Sequence, residues 1–263
     1  MSDDRDPSSL LQAAQQWLDE TDRIALSHFA GELTITAKHD RSLVTQADVE
    51  VEARLRERID EAFPAHAVVG EELGSADDAG RGRWIIDPID ATHNFVRGIE
   101  VFATLLAFER DGALQLGIVS APAMRRRWWA VRGGGAYVLA DGVERPIHVS
   151  SVDRLDAAQV VFSTLRGLDS AGLGEGLHRL TAGAWRDRGF GDFWGHMLVA
   201  QGSAEAMLEY GVNPWDMAAP HVIVAEAGGR MTDLSGQPTW SSPQVLTSNG
   251  LVHDRVLELL DGR

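Results

Sequence analysis

The chain contains no cysteine. Disulfides, thiolate-bound metals and a cysteine nucleophile are thereby excluded, and the composition fits a reducing compartment. Long apolar runs are missing as well. The longest, such as Val101 to Phe108, falls far short of the roughly 20 residues that span a bilayer. The opening MSDDRDPSS is acidic and has no apolar centre, so it does not read as a secretory signal. Positive charge is scarce: 24 Lys and Arg stand against 39 Asp and Glu, a formal charge of −15 that repels phosphate backbones and anionic lipid. The dense basic cluster Arg125–Arg126–Arg127 runs into Trp128 and Trp129 and reads as a solvated turn rather than an anion contact. These absences point to a cytoplasmic protein that binds neither nucleic acid nor membranes.

What remains is a chain of 263 residues, 44% hydrophobic and 24% charged, long enough for one large domain or two small ones. Its excess of acid is the feature to explain. Apolar positions at Leu10, Leu11, Ala14, Trp17, Leu18, Ile24, Ala25 and Phe29 follow helical spacing and predict one long opening helix. A second helix is expected from Ala47 to Phe63, ended by Pro64, with an extended segment and turn between the two. Beyond Pro64 come short β-type runs, HAVVG, RWIIDP, VFATLLAFE, LQLGIVSAP, RWWAVRG and AYVLA, punctuated by Gly and Pro. They suggest a meandering sheet covered by the two helices. After RPIHVSSVD, strand patterns alternate with helical ones, implying an α/β second half. Residues 1–149 are therefore expected to form an N-terminal α+β half and 150–263 a C-terminal α/β half, packed as one rigid unit.

Three short segments stand apart from this scaffold. VVGEELG places Glu71 and Glu72 just after a strand. RWIIDPIDATHNF places Asp87 and Asp90 three apart at the end of another, with Pro88 fixing the backbone between them and Thr92 and Asn94 following. NPWDMAAP places Asp216 at a helix start. Singly, such carboxylates are ordinary surface features. Together they differ, because Asp87 and Asp90 follow an apolar strand, no Lys or Arg lies between Trp84 and Val96, and a buried carboxylate is costly unless cations or donors compensate it. Hard divalent cations prefer oxygen ligands, so this pair, reinforced by Glu71 and Asp216, suits two or more Mg²⁺ clamped around a phosphate. The turn Asp90–Ala91–Thr92 leads into a helix start whose N–H groups suit that phosphate, and the Thr92 hydroxyl can orient a water. The competing reading is an ordinary cap on a surface helix, which needs no metal.

At these residues the sequence resembles the inositol monophosphatase family of Mg²⁺-dependent, lithium-sensitive phosphatases. The resemblance is carried by K-x-D-x-S-x-V-T-x-x-D from Lys38 to Asp48, GEE at Gly70 to Glu72, DPIDATHNF at Asp87 to Phe95, GIVSAP at Gly117 to Pro122, WD-x-AA at Trp215 to Ala219 and EAGG at Glu226 to Gly229, in order over most of the chain. It implies a layered αβαβα sandwich of the inositol monophosphatase and fructose-1,6-bisphosphatase type, a homodimer, and two or three Mg²⁺, or Mn²⁺, per site. By matching positions, Glu71, Asp87 and the Ile89 carbonyl hold the first ion, and Asp87, Asp90 and Asp216 the second, with a weaker third near Glu71. The amides of Ala91 and Thr92 receive phosphate. Glu71 and Thr92 orient the attacking water, with Asp48 behind them.

Within the family the chain looks most like the histidinol-phosphatase branch, through GFGDFWGHMLVAQGSAEAMLE. Asp192 stands where inositol-directed relatives carry a small or hydroxyl residue, and the resemblance implies that it binds the substrate ammonium, with Glu209 a second contact. A rim of acid suits a cationic alcohol phosphate. The alternative for Asp192 is a helix N-cap before Phe193. His178, His196 and His221 read as structural or exposed. One departure stands out: the family's D-G-T is here Asp90–Ala91–Thr92. Ala91 is tolerated if its φ is negative and a handicap to the phosphate pocket if positive. The expected activity is hydrolysis of L-histidinol phosphate. The alternatives are an inositol-1-monophosphatase or broad small-molecule phosphatase, and, in a different class, a catalytically weakened relative that binds metal and phosphate.

Overall fold

The structure is a computed structural model and describes residues 7–29, 31, 35–37, 43–75 and 82–262. Lys38 to Ser42 of the first motif, and the acidic opening before Pro7, lie outside the described residues. Helix α1 (Pro7–Phe29) leads through the antiparallel pair β1 (Ile35–Ala37) and β2 (Leu43–Thr45) into α2 (Gln46–Ala62). A sheet of eight strands follows: β3 (Ala67–Gly70), β4 (Gly74–Ser75), β5 (Arg83–Asp90), then, after the one-turn helix α3 (Thr92–Phe95), β6 (Ala103–Arg110), β7 (Ala113–Ala121), β8 (Arg126–Val131), β9 (Ala136–Ala140) and β10 (Val143–Ile147). Their order is β10-β9-β8-β7-β6-β5-β3-β4. Within this sheet, among the described residues, β3 and β5 pair parallel and the other neighbours antiparallel. The remainder of the chain runs β11 (Gln159–Phe162), α4 (Leu165–Ser170), α5 (Gly174–Gly183), β12 (Arg186–Gly189), α6 (Asp192–Ala200), β13 (Ala206–Tyr210), α7 (Pro214–Glu226), β14 (Arg230–Thr232), β15 (Gln244–Ser248) and α8 (His253–Asp261). Its five strands order as β12-β11-β13-β15-β14.

Both faces of the larger sheet are covered, which is why its central strands read as unbroken apolar runs rather than alternating ones. In β5, Trp84 and Ile86 face α1 and α2 and join Trp17, Leu18, Leu55 and Phe63, while Ile85 faces the other way and joins Phe193, Met197 and Ala219 of α6 and α7. Helices α5 and α8 close the far side of the smaller sheet through Leu177, Leu180, Val256 and Leu260. The layers are thus helices, sheet, helices, sheet, helices. Each large side chain so buried contributes roughly 1.5–3 kcal/mol. Strands β4 and β14 carry no alternating signal long enough to anticipate, being two and three residues.

The basic cluster departs from expectation. Arg125 is exposed, but Arg127 is only 11% exposed and donates to Asp19 at 2.9 Å, Asp22 at 2.6 Å and Ser120 Oγ at 2.9 Å, tying β8 to α1. The carboxylates that claim it lie about a hundred residues upstream, where sequence spacing has no view of them.

Candidate active site

The pairing of β5 with β6 slips between Asp87 and Asp90: Asp87 lies opposite Leu105 and Asp90 opposite Ala103. This bulge, pinned by the Thr104 hydroxyl donating to the Pro88 carbonyl at 2.9 Å, lets both carboxylates leave one strand end on the side facing α7. They are 2% and 7% exposed. Ala91 then turns the chain with φ 64 and ψ 43, the positive φ that handicaps a methyl-bearing residue. The turn closes nonetheless, with Asn94 and Phe95 N–H donating to the Ala91 carbonyl at 2.8 and 3.1 Å. The helix expected to follow is a single turn of four residues. A phosphate there would rely on local N–H groups, not on an extended helix dipole. Thr92 Oγ1 donates to the Ile89 carbonyl at 3.0 Å, which fixes the hydroxyl.

Other elements bring further carboxylates to this strand end. Glu71 follows β3, held beside β5 by its amide bonding the Ile86 carbonyl at 3.3 Å. Asp216 sits in the first turn of α7, where its carboxylate accepts the Asn213 N–H at 2.7 Å in a capping box and hydrogen-bonds Asp87. Asp48 occupies the equivalent place on α2, fully buried, accepting the Thr45 N–H at 2.8 Å and hydroxyl at 2.6 Å.

Burial dominates the electrostatics of Asp48, Asp87, Asp90 and Asp216, and repulsion from neighbouring carboxylates adds to it. Burial pushes Asp48 up to about 6 against the Thr45 hydrogen bonds, with Glu71 adding repulsion. It pushes Asp216 up to about 7, opposed by the Asn213 bond and aided by Glu71 and Asp192. Asp87 is driven well above the usual carboxylate range by burial, then by Glu71, Asp90 and Asp216. Asp90 is driven up by burial, then by Asp192 and Asp216. Among the described residues, no Lys or Arg figures among the main groups acting on Asp87, Asp90 or Asp216. Asp87 Oδ1 and Asp48 Oδ1 are buried without a hydrogen-bond partner. Among the described residues no three Asp, Glu, His or Cys side chains converge as a ready-made metal cage. The donors nevertheless fit divalent cations in kind, being hard oxygens carrying uncompensated buried charge.

The smaller sheet contributes Asp192 and Glu209. Asp192 does not cap its helix: Gly191 holds the cap position without a side-chain bond, and Asp192 itself has φ 59. The carboxylate at the α6 N-terminus is that of Asp90, reaching from the opposite sheet to accept the Phe193 N–H at 2.6 Å. Half-buried Asp192 is raised by burial and lowered by nearby His93. Glu209, 3% exposed, accepts the Asp192 N–H at 3.0 Å and bonds the Ser163 hydroxyl. Burial drives it well up, with Asp192 adding repulsion. Of the histidines, His196 is buried against Thr247 at 2.9 Å and pushed down to about 3 by burial. Sequence reading passed over Ser163 and Glu52, neither of which belongs to a short motif, and gave Asn213 no role although it opens NPWDMAAP. Only the place of Glu52, one helical turn after Asp48, hinted at a shared buried face.

Residues 6–262 match the Inositol monophosphatase family. The chain is 42% identical over 254 residues to the histidinol-phosphatase of Mycobacterium tuberculosis, covering 95% of this chain and 97% of that protein. It is 41% identical over 259 residues to the histidinol-phosphatase of Streptomyces coelicolor, covering 96% and 97%. The fold is similar to that of a Thermotoga maritima IMPase, with a TM-score of 0.86 at 29% identity over 97% of both chains. With acidic groups from both sheets meeting at one strand end and similarity across nearly its whole length, the chain belongs to the inositol monophosphatase family and is a phosphoric monoester hydrolase.

Proposed function

We propose that the chain hydrolyses L-histidinol phosphate to L-histidinol and phosphate by attack of a water, with Mg²⁺ as its cofactor. The observation that supports this substrate is Asp192, a half-buried carboxylate acting on Asp90, whose negative charge suits a substrate cation. The similarity to two histidinol-phosphatases supports the same choice. Glu71, Asp87, the Ile89 carbonyl, Asp90 and Asp216 hold the ions. Bound Mg²⁺ lowers the pKa of a coordinated water and offsets charge on the transferred phosphoryl group. Glu71 accepts the proton of the attacking water, and Thr92 Oγ1, fixed by the Ile89 carbonyl, orients it. Asp48 stands behind Glu71 with one oxygen unengaged, a second acceptor for that proton. The amides of Ala91 and Thr92 receive the phosphate, and Glu209 backs Asp192.

The same reading makes the protein a cytoplasmic homodimer acting on a small phosphorylated substrate, without nucleic-acid or membrane partners. Its net charge of −15 argues against nucleic-acid and anionic-membrane partners, and no described helix is long and apolar enough to cross a membrane. Phosphate release should be compared for L-histidinol phosphate, inositol 1-phosphate, sugar phosphates and 3′-phosphoadenosine 5′-phosphate, with and without Mg²⁺. L-histidinol phosphate should lead. Asp192→Asn should lose about 10–100-fold in kcat/KM on it, the worth of one charged hydrogen bond, and little on inositol 1-phosphate. A wild-type preference for inositol phosphate would overturn the substrate and leave the reaction class. Undiminished turnover after chelation would overturn the metal.

A further inference from the structure

Glu52 lies on α2 and is fully buried, a place where charged side chains persist only when paired. Its carboxylate accepts the Glu72 N–H at 2.8 Å, the Leu73 N–H at 3.1 Å and Arg56 Nε at 2.8 Å. The Arg56 guanidinium also donates to the Gly74 carbonyl. Residues 72, 73 and 74 are thus all tied to one helix. Immediately before them, the Gly70 backbone presses so closely on Glu52 that a Cβ at position 70 would overlap the carboxylate. Glycine is required there for close approach rather than for its dihedral freedom. Glu71 lies between these contacts, and its own amide is held by Ile86, one residue before Asp87.

We propose that Glu52, braced by Arg56, is the positioning residue for Glu71, holding the turn from Glu71 to Gly74 so that the Glu71 carboxylate is set against Asp87 before any cation arrives. The two carboxylates repel each other. A short exposed turn would relax that repulsion by swinging Glu71 towards water, and the Glu52 bonds prevent this. Prepositioned ligands lose less freedom when an ion binds, and the groups that orient ligands carry about 10–100-fold in metal affinity or activity. The proposal rests on the assignment of Glu71 to metal and water made above.

The test uses full-length Glu52→Gln, Arg56→Gln and Glu71→Gln. Amide exchange of Glu72 and Leu73 is followed in metal-free protein, Mn²⁺ binding by calorimetry, and kcat and KM at saturating Mg²⁺. Glu52→Gln should speed exchange at both amides by about tenfold or more, weaken Mn²⁺ about 10–100-fold and lower kcat, while KM stays within about threefold. Arg56→Gln, on the partly exposed side of the brace, should fold and show the same pattern at about 3–10-fold; it decides the matter alone if Glu52→Gln does not fold. Unchanged exchange, or faster exchange with unchanged Mn²⁺ affinity, overturns the proposal. Loss of Mn²⁺ affinity in Glu71→Gln without loss in Glu52→Gln overturns the brace alone. Full Mn²⁺ affinity and turnover in Glu71→Gln overturns the assignment of Glu71 and the proposal with it.

Discussion

Replacing Asp216 with Asn should make the metal-free protein more stable while destroying its activity. Moving a carboxyl from its ordinary value near 4 up to about 7 corresponds to on the order of 4 kcal/mol against the charged form once the pH is well above 7. Asp216 keeps part of its surface in water, so about half of that survives screening, roughly 2 kcal/mol. Asn retains an oxygen for the Asn213 N–H, now 2.7 Å from the carboxylate, but accepts it more weakly by about 0.5–1 kcal/mol. The net gain is about 1–1.5 kcal/mol, or roughly 2–6 °C in Tm for a chain of this size. The folded pKa is raised, so the stability of the wild type is intact below about pH 4 and declines as pH rises through about 7. The advantage of Asn should therefore be largest near pH 8 and nearly gone near pH 4. Calorimetry of chelator-treated wild type and variant at both pH values measures it. With saturating Mg²⁺ the order should invert, because the ion needs the carboxylate. A variant no more stable than wild type near pH 8 without metal would refute the view that uncompensated charge crowds this strand end.

Ala91→Gly relieves about 1–2 kcal/mol of left-handed strain but loosens the unfolded chain by about 0.4–1 kcal/mol and removes a buried methyl worth about 0.8 kcal/mol. Stability should stay within about 1 kcal/mol of wild type by urea unfolding. Because the turn already closes with alanine, kcat should change less than about threefold; a rise beyond about tenfold would show that the methyl deforms the phosphate pocket. Arg127→Ala strands half-buried Asp22, whose carboxyl is already raised by desolvation against the pull of Arg127. The loss should be about 3 kcal/mol near pH 8 and clearly smaller near pH 5, where Asp22 can take up a proton. Equal losses at both pH values would place the cost outside that carboxylate.

How much was legible in advance depended on the range of the interaction concerned. Helical spacing marked α1 and α2, and apolar runs marked β3 and β5 to β9, because side-chain periodicity is a property of neighbours. The closeness of Asp87 to Asp90 was equally local, since Pro88 and Ile89 alone separate them, and so was the start of α7 at Asn213–Pro214. The acid excess was visible as composition. The short motifs already set Glu71, Asp87, Asp90 and Asp216 apart from the solvated remainder.

What folding alone decided involves partners far apart in the chain. Asp90 caps a helix 103 residues away, which no spacing rule could assign and which displaced Asp192 from that role. Arg127 found its acids on α1, and Glu52 found two amides beyond β3. The sign of φ at Ala91 was undetermined because alanine itself prefers a negative value; the positive one is imposed by the strand bulge before it and the turn after it. Sequence by itself determined which residues carry charge and which lie on one face of an element. Tertiary structure determined which charges meet, because burial and repulsion depend on where the two sheets bring distant segments together.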